Sequence, residues 1–424
     1  MSRSNLSKFP LAFLCLAVLS ACGGGGGGES PGVATINGTI APPPPASPSA
    51  PPSASPSAPP SASPSAPPAA APSAPPSAPP AAALSDPRSS ARMFFSGHSL
   101  TDNPLPDYVA SIAQSLNTQA WWNQQNSPGS PIRARTRGSD PNGSTFPGYR
   151  IGKNRVGSDM DVLSELRQPQ TIDGQRYDTL IITERHDVVS TLMWENTVAY
   201  TRHFHERLIE GNPRANTYLY HSWLGLPDKN TPSTWIAYER TAAPAWQCVA
   251  ARINRSLQHS GRSDRVVYLP AALALADLIE QATQGAGVAG ITGGSVRQTV
   301  DRLVSDDVHL TPLGVYYMAL VNYASVYRRS PVGAWAPAGV TPTQAQSLQR
   351  VAWQAVAGHF SSVNEPDPAQ CSMAMRDSVC AAYFNFSNRP DQIGACQGIF
   401  SAATQRNPFY FNASTDSSHW FPAP

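Results

Sequence analysis

From Pro42 onward the chain cycles through proline, alanine and serine in units such as Ser-Ala-Pro-Pro, and residues 23–87 hold almost no aromatic or charged side chain. No hydrophobic core can form from such a segment. Proline-rich sequence favours extended polyproline II at about 3.1 Å per residue, so the stretch reads as a semi-rigid spacer on the order of 100 Å long. Its repetition is compositional and does not announce a solenoid. The spacer divides the chain into a leader at 1–22, the spacer itself at 23–90, a main domain at 91–330 and an extension at 331–424. Only the last two can fold, and together they suit one large domain with an added piece.

The leader carries Arg3 and Lys8, then an apolar run from Phe9 through Leu19 to Ser20 and Ala21. That run falls short of the roughly 20 residues a spanning helix needs, so it reads as the core of a cleaved signal peptide. Leu19-Ser20-Ala21-Cys22 resembles a bacterial lipobox, which implies lipidation at Cys22 and a membrane contact through that anchor. Gly23 in place of Asp, by resemblance to Gram-negative lipoproteins, favours the outer membrane. Cys248, Cys371, Cys380 and Cys396 then remain for the exported part. In an oxidising compartment four cysteines point to two disulfides in one of three connectivities, and the grouping of three in the tail favours one tail-to-domain bridge. Their spacing does not resemble a zinc site, and nothing in the chain calls for a metal or cofactor. A formal net charge of +2 without a Lys/Arg block speaks against nucleic acid as a partner. The expectation is a monomer.

Beyond Arg92, short apolar runs alternate with segments of helical period, the pattern of a parallel sheet flanked by helices. Strands are expected at 93–96, 132–136, 179–183, 217–220 and 266–269, five in all, which suits a flavodoxin-like sheet. Leu105, Val109, Ile112, Ala113 and Leu116 share one helical face, with Asp102 and Asn103 as caps before Pro104. A second helix is expected at 312–328 with Thr311 as its cap, and a third at 344–359 in the tail. In open α/β sheets ligands bind beyond the carboxyl ends of the strands, so residues after the first and third strands matter most.

The first strand runs into Gly97-His98-Ser99-Leu100. A serine between a strand end and a helix start has an accessible hydroxyl near free backbone N–H groups, although such a serine can also be a plain helix cap. Near the end of the sheet region, Asp306-Asp307-Val308-His309 places a carboxylate three residues before a histidine, just ahead of a helix. A histidine can accept the serine proton at one nitrogen when a carboxylate holds the proton on the other, and Asp306 is placed for that task.

These two motifs resemble the first and last blocks of the SGNH/GDSL hydrolases, Gly97-His98-Ser99-Leu100 standing for Gly-Asp-Ser-Leu and Asp306-Asp307-Val308-His309 for Asp-x-x-His. The resemblance spans roughly 92–328 and implies a three-layer α/β/α fold with Ser99 as nucleophile, His309 as base and Asp306 as its partner. No Gly-x-Ser-x-Gly elbow surrounds Ser99, which argues against the α/β-hydrolases. The family also implies an oxyanion hole built from Ser99, a glycine after the second strand and an asparagine after the third. Gly138 and Gly143 both suit the glycine. At the asparagine position this chain has His186, within Thr183-Glu184-Arg185-His186-Asp187, and a neutral imidazole N–H could substitute as donor. Glu184 and Trp194 are candidates for the substrate pocket, with Trp121, Trp122 and Trp223 also near the ligand edge. The resulting expectation is hydrolysis of a carboxylic ester, an acetyl ester on a polysaccharide above all. Its alternatives are O-acyl transfer by the same residues and carbohydrate binding without catalysis.

Overall fold

The computed structural model describes residues 87–136, 148–169, 172–362 and 364–421. The described residues fall within one compact unit. Its elements begin with β1 (Ser90–Gly97), α1 (Leu105–Ser115), β2 (Gln119–Asn126), α2 (Ile132–Thr136), β3 (Gly152–Lys153), β4 (Asp159–Met160) and α3 (Val162–Arg167). They continue with β5 (Thr179–Ile182), α4 (Val188–Trp194), α5 (Thr197–Gly211), β6 (Asn216–Tyr220), α6 (Ser233–His259), β7 (Val266–Leu269) and α7 (Ala271–Thr283). Then come α8 (Val296–Asp301), α9 (Pro312–Tyr327), α10 (Pro342–Ser362), α11 (Pro368–Ala374), α12 (Cys380–Phe386) and α13 (Ile393–Phe400).

The expected fold class, a five-stranded all-parallel flavodoxin-like sheet, is corrected. The sheet has seven strands in the order β4-β3-β2-β1-β5-β6-β7. β2, β1, β5, β6 and β7 pair in parallel, whereas β3 pairs antiparallel with β2 and with β4, so the sheet is mixed. The two added strands are two residues each and carry Gly152, Lys153 and Asp159. Strands so short and polar leave no apolar alternation to read.

A second correction concerns residues 132–136, which form α2 rather than a strand. Ile-Arg-Ala-Arg-Thr alternates like a strand, but Thr136 Oγ1 donates back to the Ile132 carbonyl at 3.0 Å within a helical turn. The strand beside β1 is instead β2, read from Gln119-Ala-Trp-Trp-Asn-Gln-Gln-Asn. Its buried amides had masked it as a strand. The Gln125 Nε2 group donates to the carbonyls of Arg135 at 2.9 Å and Gly148 at 2.7 Å, while its Oε1 accepts from Ser96 Oγ at 2.8 Å. Asn123 Oδ1 accepts from the Arg155 N–H at 2.8 Å. Buried polar groups satisfied in this way cost little, so a strand need not be apolar.

Strand alternation builds two cores. Met93, Phe95, Ile181, Tyr218 and Tyr220 face a layer that includes Ile112, Leu275 and Leu320. Phe94, Leu180, Ile182 and Leu219 face the opposite layer with Phe204, Trp246 and Val249. The extension contributes to both. Leu348 and Ala352 of α10 join the first core, and Met375, Phe400 and Phe409 join the second. Cys248 on α6 is bridged to Cys371 on α11, and Cys380 to Cys396. Arg252 and Asp416 add a buried ion pair at 2.6 Å between α6 and the final segment.

Candidate functional site

β1 ends at Gly97, and residues Ser99–Thr101 form a single 3-10 turn at the carboxyl edge of the sheet. Gly97 is dictated by space, since a Cβ there would lie 1.8 Å from Thr101 Oγ1 and 3.1 Å from Thr183 Cγ2. The turn is closed by the Thr101 N–H donating to the His98 carbonyl at 2.9 Å. His98 is buried and fixes the turn from beneath. Its Nδ1 accepts from the Leu100 N–H at 3.4 Å, which leaves Nε2–H to donate to the Glu184 carbonyl at 3.1 Å. Burial, reinforced by Arg135, lowers the His98 pKa to about 3, so the ring is neutral at ordinary pH.

His309 arrives on the segment before α9. Leu310 makes an antiparallel bridge with Val304, and the His309 carbonyl accepts from the Ser305 N–H at 2.8 Å. Lys229 Nζ clamps the same segment through the carbonyls of Val304 at 2.8 Å and Ser305 at 3.1 Å. Trp223 Nε1 donates to the Val308 carbonyl at 2.8 Å and the Leu226 N–H to that of Asp307 at 2.6 Å. Thr311 caps α9, its hydroxyl accepting from the Gly314 N–H.

Within this frame Asp306 Oδ1 accepts from the N–H groups of Val308 at 2.8 Å and His309 at 2.6 Å, and Oδ2 lies 2.8 Å from His309 Nδ1. Hydrogen bonding from the His309 N–H, with that from Val308 and the His309 side chain, lowers the Asp306 pKa to about 2. A carboxylate ionised at neutral pH only accepts, so Nδ1 holds the imidazole proton and Nε2 is the acceptor. Ser99 Oγ stands 2.9 Å from that Nε2. Thus Ser99, His309 and Asp306, expected together, are hydrogen-bonded in series. The serine is exposed and the histidine side chain keeps 46% of its surface.

The other expected site residues are placed differently. Glu184 is fully buried and accepts from the N–H groups of Ile132 at 2.9 Å and Arg185 at 2.7 Å and from Thr197 Oγ1 at 2.9 Å. Burial raises its pKa to about 7 against the pull of these donors and of Arg135. Trp194 ends α4 with 61% of its surface exposed and is absent from the cleft beside Ser99. His186 is half-buried, which lowers its pKa, and its ring lies edge-on to His98 at 6.2 Å. Trp121 and Trp122 lie in β2, where the Arg92 guanidinium covers Trp121 at 4.4 Å. Gly138, Gly143 and Cys22 lie outside the described residues.

The cleft itself has a volume of about 190 Å³ and runs from Ser99 and His309 past Leu100, Leu105 and Leu310 to Trp223, Val315 and Met318. Of these, Ser99, His309 and Trp223 are the ones the sequence marks as site candidates. Leu105, Val315 and Met318 belong to α1 and α9, whose apolar periodicity reads equally as core. Arg135, which reaches Ser96 Oγ at 2.7 Å from a fully buried position, was also missed, because an alternating pattern assigns an arginine to solvent.

No family model matches the chain, and no curated protein matches it. A solved structure to which it is similar is described as a DUF4886 family protein from Bacteroides uniformis. The two share 12% identity over 65% of this chain and 98% of the other, with a TM-score of 0.43. The expected membership of the SGNH/GDSL hydrolases is corrected, since no such family model matches the chain.

Proposed function

We propose that this protein is a serine esterase, transferring the acyl group of a carboxylic ester to Ser99 and then to water. The observation that carries the reading is the series Asp306 to His309 to Ser99, at 2.8 and 2.9 Å, with the serine open to solvent. Ser99 Oγ attacks the ester carbonyl as its proton passes to His309 Nε2, and Asp306 stabilises the imidazolium. The same proton then goes to the departing alcohol oxygen, leaving an acyl-serine. Water, deprotonated by His309, attacks that acyl-serine and releases the acid. The Ser99 N–H, His186 and a glycine of the 137–147 segment are the proposed oxyanion donors.

A second reading is O-acyl transfer, in which a sugar hydroxyl replaces water. Its support is the exposure of Ser99 and His309, which leaves room for a polymer-sized acceptor. Export is supported by the two disulfides, which persist in oxidising compartments. The test is turnover of p-nitrophenyl acetate and of acetylated glycans by the purified protein. Ser99→Ala and His309→Ala should each abolish it, because nucleophile and base act as a unit. Equal rates in wild type and Ser99→Ala would remove Ser99 as the nucleophile, and no turnover by wild type would leave carbohydrate binding without catalysis as the better account.

A further inference from the structure

We infer that the cleft beside Ser99 is a blind acyl-binding pocket that restricts the enzyme to short, uncharged acyl groups, with Met318 and Val315 setting the limit. The inference rests on the esterase reading and names the part of the substrate that enters. Trp223, Leu105 and Met318 are 1%, 2% and 1% exposed, so the far end of the cleft is closed by packed side chains. Ser99, His309 and the exposed Asn103 and Pro104 lie at its open end. A closed end accepts only a terminal group. When the alcohol belongs to a polymer, the acyl chain is the terminal group, and the alcohol must leave through the open side. The lining is apolar apart from the rim, so an acid at the end of the acyl chain would lose its hydration in the closed end without gaining a polar partner.

The volume of about 190 Å³ is comparable with that of an engineered apolar cavity of about 150 Å³ that holds one benzene. That is room for an acyl chain of about four to six carbons and none for a fatty acyl chain. Met318 and Val315 sit on consecutive turns of α9, Met318 buried and Val315 half-buried. Shortening Met318 deepens the pocket, and enlarging Val315 fills it. In an apolar pocket one methylene changes the specificity ratio by roughly 10- to 200-fold.

The experiment measures kcat/KM for p-nitrophenyl esters from acetate to decanoate, and for acetates of varied alcohols, with the full-length protein and its Met318→Ala and Val315→Phe variants. Wild type should fall steeply beyond about six carbons and should be slow on a hemisuccinate ester. Met318→Ala should raise the octanoate-to-acetate ratio at least about tenfold, and Val315→Phe should lower the butyrate-to-acetate ratio by a similar factor. The alcohol profile should keep its order in both variants. Active variants with wild-type acyl profiles, or with altered alcohol profiles instead, would overturn the acyl assignment and leave the esterase reading standing. Absence of turnover on every ester by wild type would overturn both. Should Met318→Ala not fold, Val315→Phe decides alone, because it adds bulk at a half-buried site.

Discussion

Asp306 shows how a solvent-exposed carboxylate can still be held in one orientation, since two backbone N–H groups fix one oxygen and the other meets His309. Asp306→Asn keeps an acceptor for the backbone but offers the imidazole no charge and promotes the wrong tautomer. It is expected to fold normally and to lose roughly 10⁴-fold in kcat. The pKa of Asp306 is lowered in the folded state, so its contribution to stability is complete above its ordinary value of 3.8 and fades as pH falls toward about 2. Activity lost well above pH 4 therefore does not come from protonation of Asp306. An acid limb of kcat/KM in that range that disappeared in Asp306→Asn would contradict this. His186 is the residue-scale test of the oxyanion donors. His186→Ala should lower kcat by roughly 10²- to 10³-fold with KM nearly constant, and His186→Asn should restore part of the loss. Near wild-type kcat in His186→Ala would remove it from the oxyanion hole.

At the scale of elements, the site depends on two tight junctions, the β1 turn and the segment entering α9. Gly97 and Gly314 are the points of closest approach, a Cβ on Gly314 falling 2.2 Å from the Leu303 carbonyl oxygen. Neither glycine has a positive φ, so the constraint is steric. Gly97→Ala should displace the Ser99 turn and cut kcat by at least about tenfold, with a stability loss in the range of about 1–3 kcal/mol for overpacking. Wild-type kinetics and melting temperature in this variant would refute the contact. The same scale explains what the sequence made legible. β1, β5, β6 and β7 were readable because buried apolar runs between turn signals have few other uses, and α9 because Thr311 and Pro312 mark its start. β2 was not, since its buried Asn123 and Gln125 are matched by partners remote in sequence, which no local pattern encodes. β3 and β4 are too short to carry any period. Ser99 and the Asp306–His309 pair were legible from strand-end position and local spacing. The burial of Glu184 was not, because it depends on α2 and α5, nor was the exposure of Trp194, which depends on where α4 ends.

For the whole molecule, the extension is part of the fold rather than an appendage, since α10 completes one core and residues beyond α11 complete the other. Cys248–Cys371 closes a separation of 123 residues and Cys380–Cys396 one of 16. The chain-entropy account assigns the longer loop about 4–5 kcal/mol and the shorter about 3. Replacing Cys248 and Cys371 by serine should therefore lower Tm more than replacing Cys380 and Cys396, and in both cases turnover at low temperature should survive, because none of these four cysteines touches Ser99, His309 or Asp306. Equal Tm in all three proteins under oxidising conditions would contradict that order.

The central claim is that Ser99 is a nucleophile made reactive by His309, and covalent labelling tests it without knowledge of the natural substrate. The purified protein is treated with a fluorophosphonate, which phosphonylates an activated serine, and the adduct is located by intact mass and peptide mapping. The account predicts one adduct per chain, on Ser99, formed at a rate that collapses in His309→Ala. No adduct on Ser99, or labelling of equal rate in wild type and His309→Ala, would contradict it.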